Sequence, residues 1–131
     1  MATARTSGAI LVYEDDAVCA QALASVLRHA GHTAQIVTHF QPALRALETD
    51  LHIDALVADV VFPAGGVNGM VLARMGRMKH PDLKVVHVTG YDFDHLAQMA
   101  SGPILRKPVS NQILLFWIQR ALTCSQQFWW P

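Results

Sequence analysis

Six side chains in this 131-residue sequence stand at the ends of short apolar runs, where they could share one reaction. Glu14, Asp15 and Asp16 follow AILVY (residues 9–13), Asp59 follows ALVA (55–58), Thr89 follows KVVHV (84–88), and Lys107 lies just past Ile104-Leu105. Carboxylates held close together repel and raise each other's pKa unless a cation lies between them. A hard, oxygen-binding cation meets that need. Mg²⁺ fits best, because it takes one or two carboxylates and keeps its other positions for water and phosphate oxygens. Lysine adds a mobile positive charge and threonine a hydroxyl donor. Acids, a metal, a lysine and a hydroxyl together make a site for a transferring phosphoryl group. In such a site an aspartate can itself be the nucleophile.

The chemistry requires that these stretches meet, so the elements carrying them matter. Ala9–Tyr13 reads as a buried strand, and Ala17–Ala30 has helical apolar spacing that ends at Gly31. Thr33–Thr38 is β-branched-rich and reads as a second strand, ending in Thr38 and His39, to which no role is given. Gln41–Glu48 reads as a short helix with Pro42 in its first turn. Ala55–Ala58 is a third strand, and Val61–Gly69 is a loop by composition. Met70–Lys79 reads as a helix, Lys84–Val88 as a fourth strand, Asp92–Ala100 as a short helix and Ile104–Leu105 as a brief fifth strand. Ser110 caps a final helix that runs to about Leu122. Strand–helix alternation with continuous apolar strands predicts a parallel sheet covered on both faces. The expected class is α/β, a flavodoxin-like doubly wound (βα)5 fold with strand order 2-1-3-4-5. In open sheets of this kind ligands bind beyond the carboxyl ends of the strands, where strand order reverses. If the strands take that order, β-strands one and three are neighbours across the switch point and Asp15 lies beside Asp59. Residues 1–8 read as a loose tail, 9–122 as the domain and 123–131 as an aromatic C-terminal tail.

Composition sets the outer bounds. Hydrophobic residues make up 52% and charged residues 15%, which excludes a disordered chain. Ten Lys+Arg balance ten Asp+Glu, so bulk charge disfavours nucleic acid as a partner. Two cysteines, Cys19 and Cys124, are too few for a disulfide scaffold and read as reduced thiols. The longest early apolar run is too short for a signal peptide or a spanning helix. A cytoplasmic protein with no membrane partner is expected.

The pieces ILVYEDD (10–16), LVADVVFP (56–63), VHVTGY (86–91) and LRKPVS (105–110), in this order, resemble those of a two-component response-regulator receiver domain, stand-alone and chemotaxis-regulator-like. The likeness covers residues 9–122. It implies that Asp59 is the phosphoacceptor. It implies that Glu14, Asp15 and Asp59, with the backbone carbonyl of Val61, hold Mg²⁺. Thr89 resembles the switch hydroxyl and Lys107 the lysine that pairs with the phosphoryl oxygens. A cis Lys107–Pro108 bond is implied as well. Asp16 is left as a solvated acid or a cap for the first helix.

Three features depart from the pattern. Ile104 stands where the family carries an aromatic switch residue. The loop after Asp59 is about two residues longer, with Gly65-Gly66 as the insert. The helix after Thr89 is short. The residues two past Asp59 and two past Thr89, which tune loss of the phosphoryl group in the family, are Val61 and Tyr91.

Seven histidines are scattered through the chain without ligand spacing, so no zinc site is expected, and His87 reads as a core residue. The final helix is apolar nearly all round. The expectation is an interface through Phe116, Trp117, Phe128, Trp129 and Trp130, with a homodimer through the last helix; the alternative is that the tail 126–131 folds back to cover it. The function expected is a single-domain receiver of bacterial signalling. It takes a phosphoryl group from a histidine kinase or a histidine phosphotransfer protein. It then changes the surface around its fifth strand and the two flanking helices to signal to a protein partner. Phosphotransfer and autodephosphorylation are self-catalysed, and the protein is not a metabolic enzyme. The alternatives are a phosphate sink, a receiver detached from a hybrid histidine kinase, and a small Mg²⁺-dependent phosphatase. Val61 stands where such phosphatases carry a second aspartate.

Overall fold

The computed structural model describes residues 7–50, 52–60, 68–90, 94–125 and 129–130. Five parallel strands, β1 (Ala9–Tyr13), β2 (Thr33–Val37), β3 (Ala55–Asp59), β4 (Lys84–Thr89) and β5 (Ile104–Arg106), form one sheet in the order β2-β1-β3-β4-β5. The four α-helices are α1 (Ala17–His29), α2 (Phe40–Thr49), α3 (Gly69–Lys79) and α4 (Asn111–Thr123). The expected doubly wound, flavodoxin-like architecture is the one observed.

Strand alternation explains the two layers. Ile10 and Val12 of β1, Val57 of β3 and Val86 and Val88 of β4 point to one face, where Leu23 and Leu27 of α1 and Leu114 and Ile118 of α4 cover them. Leu11 and Tyr13, Leu56 and Val85 point to the other, under Ala43 and Leu47 of α2 and Leu72 and Ala73 of α3. Because both faces are covered, β3 is buried at every position. Asp16, Asn68 and Ser110 cap α1, α3 and α4 by accepting backbone N–H bonds with their side chains. The chain leaves α1 through Gly31 at φ 96°, a conformation that a Cβ would oppose.

Two expectations need correction. The short helix expected over 92–100 is, among the described residues, a 3₁₀ helix, Asp94–Met99, rather than an α-helix. Gly102 and Pro103 follow closely, and six residues cannot bury an amphipathic face as a longer helix would. The aromatic tail does not extend an exposed patch at Trp129. That side chain is 1% exposed. It meets Trp117 edge-to-face at 6.3 Å between ring centroids. Its carbonyl accepts a 2.7 Å hydrogen bond from Nε of Arg120. Trp130 is half-buried against the same core. The apolar circumference of α4 is thus largely satisfied from within the chain. Phe116 remains 57% exposed and Trp117 is half-buried. Phe128 lies outside the described residues.

Candidate functional site

Parallel pairing places the ends of β1, β3, β4 and β5 along one rim. Tyr13 is level with Ala58, Asp59 with Val88, and Thr89 with Arg106. The next residues, Glu14, Asp15 and Lys107, therefore emerge together. Two backbone bonds hold the rim: Val60 N–H donates to the Val88 carbonyl at 2.9 Å, and Lys107 N–H to the Thr89 carbonyl at 2.7 Å. A close approach fixes Asp59 from the other side. A Cβ on Gly69 would sit 2.4 Å from the Asp59 carbonyl oxygen, so α3 can start this near β3 only with glycine there.

Glu14 and Asp59 are buried, Asp15 is half-buried, and one carboxylate oxygen from each lies within 4.8 Å of those of the other two. The Lys107 ammonium donates to Glu14 Oε2 at 2.6 Å and stands 3.5 Å from Asp59 Oδ1. The lysine is thus bonded to Glu14 and poised beside Asp59. Three convergent carboxylates form an oxygen-only donor set suited to a hard divalent cation, with the Lys107 ammonium beside it. Thr89 is fully buried at the same rim.

Electrostatics follow from burial. Desolvation first, and then the Glu14 charge, push Asp59 up to about 7, against the pull of Lys107. Burial disfavours the charged form of Lys107, but its bond to Glu14 and the charge of Asp59 outweigh that and hold its pKa above the ordinary lysine value. Tyr13 is pushed up to about 12 by burial, with Asp15 and Asp59 adding to it, and so stays a neutral phenol beside the acids.

Four of the expected site residues, Glu14, Asp15, Asp59 and Lys107, converge, and Thr89 shares their rim. Asp16 does not join them. Its carboxylate accepts from the Val18 and Cys19 N–H groups at 2.9 and 3.1 Å and so caps α1. Ile104 is half-buried opposite His87, at the far end of β5 from Lys107. Val61, Tyr91 and the Gly65-Gly66 insert lie outside the described residues. Sequence reasoning missed Gly69, although Asn68-Gly69 after a loop signals a capped helix start. It also missed an apolar groove of about 220 Å³ beside Lys107, lined in part by Cys19, Leu23, Val26, Pro108 and Leu114. That groove joins residues some ninety positions apart, which no local pattern reveals.

No family model matches the chain. The response regulator receiver protein CpdR of Brucella abortus (strain 2308) is 31% identical over 122 residues, covering 88% of this chain and 98% of that protein. The sensor kinase CckA of the same organism is 31% identical over 121 residues, again 88% of this chain, but the chain spans only 13% of that relative's length. Among solved structures, a response regulator receiver protein from Sinorhizobium medicae WSM419 matches with TM-score 0.81 at 25% identity, over 88% of this chain and 94% of that one. A CheY-like receiver domain protein from Methanospirillum hungatei JF-1 shares the fold, with TM-score 0.78 at 22% identity over 88% and 93% of the two chains. The chain therefore belongs to the response-regulator receiver family of two-component signalling.

Proposed function

We propose that this protein accepts a phosphoryl group on Asp59 from a phosphohistidine of a kinase or phosphotransfer protein, and passes the signal to a protein partner. The observation that carries the proposal is the convergence of Glu14, Asp15 and Asp59 within 4.8 Å, with the Lys107 ammonium 3.5 Å from Asp59. An Asp59 oxygen attacks phosphorus while the P–N bond breaks. The imidazole leaves with the bonding pair and an acyl phosphate remains on Asp59. Glu14, Asp15 and Asp59 would hold Mg²⁺, which supplies neutralisation of phosphoryl charge when bound. Lys107 is near enough to shift from Glu14 toward a phosphorylated Asp59, and that exchange of partners carries the event into β5. Thr89 offers its hydroxyl from the same rim. The groove beside Lys107, with Val18 of α1 79% exposed, offers the donor an apolar seat next to the acceptor. The proposed place of action is the cytoplasm; among the described residues no helix is long and apolar enough to cross a membrane.

The test is addition of Mg²⁺ and beryllofluoride, followed by amide chemical shifts and oligomeric state. The wild type should shift around β4, β5 and the helices flanking β5, and Asp59→Asn should not. An equal response in both would overturn the assignment. Similarity to a stretch of a sensor kinase favours a second reading, in which the chain relays phosphate and passes it back to another histidine protein. Radiolabel lost from the phosphorylated protein to a second histidine protein would select it. A homodimer through Ile113 and Phe116 of α4, 51% and 57% exposed, is proposed as one form of output.

A further inference from the structure

A second surface lies between α3 and the 3₁₀ helix, away from the acidic rim. From Gly69 to Lys79, α3 carries Arg74, Arg77 and Lys79 and no acidic residue. Arg77 and Lys79 lie in the last helical turn, where positive charge suits the helix end, but Arg74 is mid-helix and gains little from that. Arg77 is half-buried, and its Nε has no hydrogen-bond partner among the described residues. A desolvated Nε–H without an acceptor is costly, so an acceptor is favoured there. The two arginines line a cleft of about 480 Å³ together with Met78, Gln98, Met99 and Ser101. Methionines are concentrated at this face. Met78 and Met99 line the cleft and are 81% and 40% exposed, two of the six large apolar side chains exposed among the described residues. Unbranched, polarisable Met side chains adapt to an incoming apolar surface.

We infer that this cationic, methionine-lined face docks an acidic amphipathic helix of another protein. The apolar stripe of that helix seats on Met78 and Met99, and its carboxylates pair with Arg74 and Arg77. Charge complementarity selects the occupant. A basic or neutral helix would bring neither arginine a carboxylate. A second copy of this chain would bring its own Arg74 and Arg77 against them in a two-fold contact. The surface does not depend on the phosphoryl-transfer reading of the acidic rim.

The test uses the full chain, free of Mg²⁺ and phosphoryl donor, and a helical peptide of about 18 residues with leucines on one side and glutamates on the other. Amide shifts should move in residues 71–79 and 97–101 and weaken as salt rises. The same peptide with lysine for glutamate should leave them still. Arg74→Gln with Arg77→Gln should weaken binding at least about tenfold. Met78→Gln, on a side chain too exposed to affect folding, should weaken it several-fold. Binding centred elsewhere, equal response to both peptides, unaltered binding by the arginine variant, or concentration-dependent shifts at this face without peptide would each overturn the inference.

Discussion

Asp59 is buried beside Glu14, yet attack on phosphorus needs its ionised form. Burial and the neighbouring charge push its pKa up to about 7, far above the ordinary aspartate value of about 3.9. Without metal, the folded state therefore holds this proton more tightly than the unfolded state. Its contribution to stability is complete below about pH 4 and is lost as pH rises through 7. Asp59→Asn abolishes that loss. In chelator, the variant should gain more stability at pH 8 than at pH 5, by roughly 1–2 kcal/mol. Urea unfolding at the two pH values measures it, and an equal gain at both would contradict the electrostatic account. The side chains themselves were legible: Glu14, Asp15, Asp59, Thr89 and Lys107 each sit where an apolar run stops. For Asp16 the sequence left two readings, a solvated acid or a cap for the first helix, and its carboxylate on the α1 N–H groups decides for the cap.

At the scale of elements, β4 joins the acidic rim to the 3₁₀ helix. His87 is fully buried on this strand, and its Nε2 accepts from the Ser101 N–H at 3.2 Å. Its Nδ1, which must then carry the proton, has no partner among the described residues. Desolvation pushes the imidazole down to about 4. The sign is opposite to that of Asp59: stability is full above about pH 6.5 and is lost as pH falls toward 4, because the unfolded state takes up the proton first. His87→Gln keeps an acceptor for Ser101 and removes the titration. Between pH 6.5 and 4.5 the stability of the variant should fall less steeply, by at most about 1.4 kcal/mol per pH unit. An unchanged slope in acid unfolding would refute this. Elements with a strong period were legible, and all five strands agree with their expected positions within a residue or two. The segment after Thr89 was not, since a 3₁₀ turn and a short α-helix carry the same apolar spacing over six residues.

For the whole molecule, the decisive contact is between the C-terminal tail and the sheet layer. Trp129 lies beside Gly102 and Trp117 and belongs to the core that includes Leu105, Leu114 and Ile118. Replacing a buried tryptophan removes more than any other single apolar group here. Trp129→Ala should cost about 3–5 kcal/mol. Its Asp59 rim should nevertheless remain intact in the folded fraction, because Gly102 approaches Val85, near the start of β4, and the rim is at its end. Denaturant unfolding, alongside the beryllofluoride response at a temperature where the variant is folded, checks both parts. A loss below about 1 kcal/mol would mean that the tail is an appendage.

The amino-acid sequence by itself determined the alternation of strands and helices and set the site side chains at the strand ends. Both follow from local apolar periodicity, and the likeness to receiver domains implied the strand order that lets those ends meet at one edge. Only the tertiary structure decided where the aromatic tail goes, which carboxylate holds Lys107, and that Arg77 lies beside a cleft with no acceptor at its Nε among the described residues. Those outcomes depend on which distant surfaces meet. An apolar helix exposes the same residues in its sequence whether a partner or its own chain covers it, and only the geometry of burial separates the two.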